Sequence, residues 1–325
     1  AQADCLFAET SDARASQRLS DFIYPHPAFD DETGKAHDAA LKSTDVAQPA
    51  IGAVSLGALR VLENFGIAPE GAAGHSYGEL LALCASGRIE SDTLHRLSNL
   101  RGRLMAQANG AGDRGAMLAV KAPVESVENF IREECLDLVV ANRNSPDQIV
   151  LAGSTSEIDR AAHSLERRSI WHRRLPVAAA FHSPLVAAAQ APFAESLDAV
   201  EISQPRIPVY ANTTARQYPA DSAAARSLLA GQLANPVDFV SEIRAMFADG
   251  VTTFLEVGPG HTLTGLVESI LRDHDVHAIA LDSSRGKRHG IHDLAVALAR
   301  LAAFGHRVNL TRSEEHTSEL QSLAY

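Results

Sequence analysis

The stretch Gly74-His75-Ser76-Tyr77-Gly78 leaves the chain few ways to fold around it. A short apolar run, Ala72-Ala73-Gly74, leads in, and Leu80, Leu81, Leu83 and Cys84 follow before Gly87. Strand, sharp turn and buried helix is the order these residues predict. A side chain at the tip of such a turn sits on a strained backbone, and small flanking residues keep strand and helix from colliding. The pattern G-x-S-x-G places a serine hydroxyl at a helix N-terminus, where backbone N–H groups lack intrahelical acceptors. Ser76 is therefore a candidate nucleophile, and the N–H of Tyr77 a candidate oxyanion-hole donor. The bland reading is a chance match in a chain with this much Gly and Ser. The apolar run before it and the buried helix after it weigh against chance.

Around this turn the pattern is α/β. Helical spacing runs over 46–65 with Gly66 as its stop, and a further helix is predicted over 93–107. From 115 to 177 the order becomes βαββαβ, with strands over 117–120, 136–141, 148–153 and 171–177 and helices over 124–134 and 156–167. Two strand–helix–strand halves in so short a span predict a ferredoxin-like subdomain inserted in a larger domain. Beyond it come strands over 207–211 and 253–257 and helices over 237–247, 262–270 and 293–304. The predicted fold class is α/β: a large hydrolase-like domain with a parallel sheet, plus the inserted ferredoxin-like βαββαβ subdomain. The large domain would occupy 1–114 and 179–290, the insertion 115–178, and a post-domain linker helix 291–311. Residues 312–322 have no apolar period and resemble the translation of a sequencing adapter, so 312–325 is expected to be an artefactual tail.

The 325 residues, 46% apolar and 21% charged, suffice for a sizeable core. A net charge of −11 argues against non-specific nucleic-acid binding. The clusters Arg167, Arg168, Arg173, Arg174 and Arg285, Lys287, Arg288 read as solvated faces. No apolar run approaches a membrane span, and the first residues lack the regions of a signal peptide, so a cytoplasmic location is the expectation. Cys5, Cys84 and Cys135 lack metal-ligand spacing and read as reduced, partly buried thiols.

A serine hydroxyl needs a base. Of 14 histidines, His182 is distinctive, following the strand-like Leu175-Pro176-Val177-Ala178 at a strand end. No Asp or Glu stands out as a third member. A Ser–His dyad oriented by a backbone carbonyl is at least as compatible as a triad.

Four motifs then carry a family resemblance. Gly74 to Glu79 resembles the GHSxGE signature of malonyl-CoA:acyl carrier protein transacylases and of polyketide synthase acyltransferase domains. Ala179-Ala180-Phe181-His182 resembles that family's HAFH tetrad, with Ala179 in place of its first His. Asn142 to Gln148 resembles its AN-NSP-Q segment, and Glu256 to Gly260 with Leu263-Thr264-Gly265 its EVGPG-x-x-LTG segment. They stand in the family's order over about 200 residues. Tyr77 at the variable elbow position resembles iterative synthases of the enediyne and polyunsaturated type.

The resemblance implies a mechanism and its residues. His182 would be the base and Ser76 the acyl-carrying nucleophile in a ping-pong reaction. Leu100 to Met105 resembles the family's R-G-x-x-M helix, whose arginine, here Arg101, grips the free carboxylate of malonyl-CoA. Guanidinium meets carboxylate through two parallel hydrogen bonds that lysine cannot copy. Without the resemblance Arg101 reads as a surface residue, and Arg103 remains a solvent residue. Phe181 resembles malonyl-selective members, its ring crowding an α-methyl branch, a discrimination of about 1–3 kcal/mol. Malonyl-CoA would be the substrate, with no bound metal or redox cofactor. The partners would be an acyl carrier protein and other domains of a multidomain synthase, with no nucleic acid and no membrane.

Family members open on a strand carrying an FPGQGSQ-like segment, whose first glutamine supplies the second oxyanion donor. No such segment stands here, so the expectation is a chain missing that strand, with poor folding or slow loading. A free-standing transacylase, a serine esterase with an acidic third member, and a non-catalytic module that docks a carrier protein are the competing readings.

Overall fold

The computed structural model describes residues 2–9, 17–107, 113–177 and 179–310. The expected artefactual tail lies outside these residues. Four helices come first: α1 (Gln2–Glu9), α2 (Leu19–Ile23), α3 (Asp31–Lys42) and α4 (Thr44–Asn64). The elbow leads into α5 (Gly78–Ala85), followed by α6 (Ser91–Gln107). The sequence pattern anticipates α4 to α6. It does not anticipate helices α1 to α3, because α1 buries only Leu6 and Phe7, α2 only Leu19, and α3 nothing.

The inserted unit runs β1 (Ala116–Val120), α7 (Val124–Glu133), β2 (Leu138–Ser145), β3 (Gln148–Gly153), α8 (Thr155–Arg167) and β4 (His172–Arg174). Its strands pair antiparallel in the order β4-β1-β3-β2, the ferredoxin-like arrangement. One face packs under Val127, Phe130, Ile158 and Leu165 of the two helices, whose spacing puts them on one stripe. Two strand ends depart from expectation. β2 continues to Ser145 because two register irregularities keep it paired with β3. β4 stops at Arg174, just ahead of Pro176, which lacks an N–H for the ladder.

The large domain resumes with α9 (Gln190–Asp198), β5 (Tyr210–Ala211), β6 (Arg216–Gln217) and α10 (Ser222–Gly231). Then follow β7 (Val237–Asp238), α11 (Phe239–Ala248), β8 (Thr253–Glu256), α12 (Thr262–Ile270), β9 (His277–Ala280) and α13 (Gly290–Ala303). The helix expected over 237–247 begins at Phe239 instead. Asp238 is its N-cap, accepting from the N–H of Ser241 at 3.0 Å, and Val237 is extended and pairs parallel with β2. Parallel pairing also joins β8 to β9 and Ala72 to Val209.

The parallel sheet has a gap. Ala72 directs its N–H and C=O toward Pro208 and Tyr210, so those of Ala73 face the other way. The C=O groups of Thr252 and Glu256 point toward the β9 side, so the groups of Thr253, Leu255 and Val257 face away from it. Among the described residues none of these four backbones makes a hydrogen bond, and no described strand lies between them. Both edges line a cavity of about 970 Å³ floored by Leu59, Leu81, Ile243 and Val267. With helices on both faces, the place suits an apolar, doubly covered parallel strand. A five- to six-residue apolar strand joined ahead of Ala1 through a Gly/Ser linker should raise Tm and slow amide exchange at Ala73 and Leu255. The same addition with a central proline should do neither; equal protection by both would show that the edges need no partner.

Candidate active site

The turn at Ser76 is fixed by backbone approach. A Cβ at Gly74 would stand 2.1 Å from the carbonyl of Gly78, so the chain can double back only with glycine there. Ser76 itself takes φ +53°, left-handed for a residue with a side chain. So does His182 at φ +57°. Each such residue costs about 1–3 kcal/mol, which the surroundings must offset.

Ser76 and His182, 106 positions apart in sequence, meet: Oγ lies 2.7 Å from Nε2. His182 Nδ1 faces the carbonyl oxygens of Gln232 and Asn235, each at 3.1 Å. Carbonyls only accept, so Nδ1 carries the hydrogen and Nε2 is left to accept from the serine. No carboxylate occupies the third place among the described residues. That is the dyad geometry, and it lacks the acid an esterase triad would use. Burial, reinforced by Arg101 and His75, holds His182 far down, at about 3, so its ring is neutral at rest.

Arg101 is also buried, at 1% exposure, and its Nη2 donates to Ser76 Oγ at 3.2 Å. Its other partners are amide oxygens, Gln48 Oε1 at 2.8 Å and Gln232 Oε1 at 3.0 Å. Nε has no partner, and no carboxylate lies within ion-pair distance among the described residues. Burial lowers Arg101 to about 10, which leaves it cationic at neutral pH. Gly102 makes this possible. It lets α6 press on the start of α4, where a Cβ would stand 2.8 Å from the Thr44 carbonyl, and so brings Arg101 to Gln48. Arg103, read as solvated, is half-buried.

Residues 7–307 match the acyl transferase domain family. The chain belongs to that family. It is 31% identical over 289 residues to a polyunsaturated fatty acid synthase protein of Thraustochytrium sp., covering 87% of this chain and 10% of that protein. It is 34% identical over 273 residues to the malonyl CoA-acyl carrier protein transacylase of Bacillus subtilis, covering 82% of each. Among solved structures, the acyltransferase domain of the second module of the salinomycin polyketide synthase superposes with a TM-score of 0.81 at 27% identity. That match covers 98% of this chain and 70% of the other. The chain thus spans a tenth of the synthase protein and most of the transacylase.

In this acyl transferase domain the remaining expected residues sit around the dyad. Tyr77 is the N-cap of α5, its N–H at the helix start beside Ser76. Its phenol is buried and bonded to Ser98 Oγ at 2.6 Å, in space left by Gly52, where a Cβ would stand 2.2 Å from the hydroxyl. Phe181 is half-buried between the main core and the insertion. Of the cysteines, Cys84 is half-buried, whereas Cys5 and Cys135 are exposed. Among the described residues no helix is long and apolar enough to cross a membrane.

Sequence reasoning missed Gln48, Gln232 and Asn212. Gln232 donates through Nε2 to the Ser76 carbonyl while its own carbonyl meets His182. Each is a single polar residue with no motif around it, so only burial distinguishes it. Gly74→Ala should destabilise the fold by about 1–3 kcal/mol or more in urea unfolding, the range of overpacked sites. Gly265→Ala in α12, where a Cβ meets nothing within 4 Å, should be neutral or stabilising. Equal effects at both would mean that the close approach at the elbow is relieved without cost.

Proposed function

We propose that this domain transfers a malonyl group from malonyl-CoA, through an acyl ester on Ser76, to the phosphopantetheine thiol of an acyl carrier protein. The single observation that carries the reading is the buried Arg101 cation, without a carboxylate partner, against the Ser76 hydroxyl. A desolvated cation without a counter-ion is costly, and an anionic ligand relieves it. The free carboxylate of malonyl-CoA is such a ligand, with its thioester one methylene away. The name of the Bacillus subtilis relative supports the same acyl group.

His182 Nε2 takes the Ser76 proton as Oγ attacks the thioester carbonyl. The oxyanion is met by the Tyr77 N–H at the start of α5. Collapse breaks the C–S bond, and His182 returns the proton to the departing thiol of CoA. In the second half the carrier-protein thiol gives its proton to His182 and attacks the acyl-serine, and Oγ leaves with that proton. Phe181 narrows the space for an α-branch, favouring malonyl over its methylated homologue. The natural setting is a multidomain synthase, a reading supported by the match to a tenth of the Thraustochytrium synthase protein.

Ser76→Ala should abolish the covalent malonyl adduct in intact-mass spectra; a persisting adduct would move the nucleophile elsewhere. Arg101→Ala should lower malonyl loading roughly ten- to hundredfold, the loss of a charged hydrogen bond worth about 1.5–3 kcal/mol, with acetyl loading much less affected. Equal losses would make Arg101 structural.

The pH dependence has a definite sign. His182 acts as a base only when neutral, and it is held down to about 3, so activity should not fall near pH 6.5, where an ordinary imidazole titrates. Labelling of Ser76 by a neutral fluorophosphonate should therefore keep its rate well below pH 6.5. Arg101→Ala removes one of the charges that depress the ring, so its acid limb should move to higher pH. A limb at 6.5 in the unaltered protein would mean a solvated imidazole.

A further inference from the structure

Beneath the elbow lies a polar cluster that none of these steps uses. Asn212, just past β5, is fully buried. Its Oδ1 accepts from the Ser76 N–H at 2.6 Å, and its Nδ2 donates to the Gly74 carbonyl at 2.8 Å. The orientation of the amide is unambiguous, since a backbone N–H can only donate and a carbonyl only accept. The second Nδ2 hydrogen goes to Glu242 Oε2 at 2.6 Å. Its backbone N–H donates to Glu79 Oε1, its C=O accepts from Asp238 N–H at 3.1 Å, and Tyr218 donates to the other Glu79 oxygen at 2.6 Å. Thus one side chain grips the two successive peptide groups that lead into the nucleophile, and every polar atom it has is used.

We propose that Asn212 is a positioning residue that holds Ser76 in its left-handed conformation, with Glu242 beneath it fixing which way the amide faces. The proposal rests on Ser76 being the nucleophile. A left-handed serine relaxes unless its flanking peptide groups are held. Asn212 holds the one on the N-terminal side, through the Ser76 N–H, together with the peptide before it, through Gly74 C=O, while Gln232 Nε2 holds the one on the C-terminal side at the Ser76 C=O. Asn212 acts from a parallel neighbouring segment of the core rather than from the elbow itself. Glu79 and Tyr218 fix Asn212 in turn. Burial raises Glu242 well above the usual carboxylate range, with repulsion from Glu79 adding to it.

The test is the second-order rate of Ser76 labelling by a fluorophosphonate, taken relative to the unaltered protein at each pH. Asn212→Asp keeps the shape but turns the donor into an oxygen facing Gly74 C=O and Glu242. The relative rate should fall at least tenfold at pH 8 and recover as pH drops toward 5, where a proton on that oxygen restores a donor. Combining N212D with E242Q gives Glu242's position a donor of its own, and should return part of the loss at pH 8. Asn212→Ser, neutral and small, should show a tenfold loss without pH dependence, and serves if N212D does not fold. A residue that only satisfied the core would lower Tm yet leave the labelling rate of folded protein unchanged. That result in N212S, or a pH-independent N212D, would overturn the proposal. If Ser76→Ala still labels, the nucleophile assignment fails; if it is silent while N212S labels normally, only the positioning role fails.

Discussion

The site depends on one close approach, the strand carrying Gly74 against the helix opened by Gly78. With 2.1 Å available to a Cβ, only a glycine admits it, and the four-residue reversal it permits is what lifts Ser76 out of the core. Everything else is arranged on that reversal. Asn212 holds the two peptide groups that lead into Ser76, Gln232 holds the Ser76 carbonyl on the other side, and the N–H groups of Gly78 and Glu79 close the turn on the His75 and Ser76 carbonyls. Left-handed backbone at Ser76 is unfavourable locally, so these contacts are what keep its side chain in place.

Electrostatics follow from burial. Inside the site Arg101 is desolvated and solvated instead by amide oxygens, which stabilise its charge without neutralising it. That charge, without a direct ion pair among the described residues, acts in two directions. It favours an anion beside it, and it adds to the burial that keeps His182 neutral by opposing a second cation there. The two effects are coupled, because an anion bound at Arg101 removes part of what depresses the imidazole. On the function proposed above, an acyl carboxylate at Arg101 would make the imidazole a stronger base toward the serine proton.

Much of this was legible in the sequence, for reasons that differ by element. The elbow announces itself because steric demand forces glycines at fixed spacing around the serine. The ferredoxin-like unit is legible because its strands and helices carry clean apolar periods, as in α7 and α8, and only their ends slipped. Val237 and Asp238 deceived the helical reading because an apolar residue and an acidic one fit a helix period as well as a strand end followed by a cap. Helices α1 to α3 bury too few side chains to leave a stripe. The polar residues around the dyad were unreadable for a deeper reason. The side chains of Gln48, Asn212 and Gln232 reach Arg101, the Ser76 N–H and Arg101 across 53, 136 and 131 positions, and nothing in their own neighbourhood encodes these partners. Only the carbonyl-oriented dyad was foreseeable, and by the absence of a suitable acid rather than by any positive signal.

The insertion is not a separate body leaning on the site. β7 pairs with β2 at Asn142 and Arg143, so the ferredoxin-like sheet continues into the large domain. Arg143 reaches Asp238 at 3.5 Å, and Asn144 reaches His75 of the elbow at 2.7 Å. The segment entering β7 supplies the carbonyls of Gln232 and Asn235 that orient His182, while His182 itself lies on the path by which the chain returns from β4. The imidazole is therefore held where the two units join, its Nδ1 oriented by the segment that leads into the strand tying them together. A hinge at that junction would change the serine–imidazole distance directly. A shared sheet at the same place is the arrangement that keeps 2.7 Å fixed.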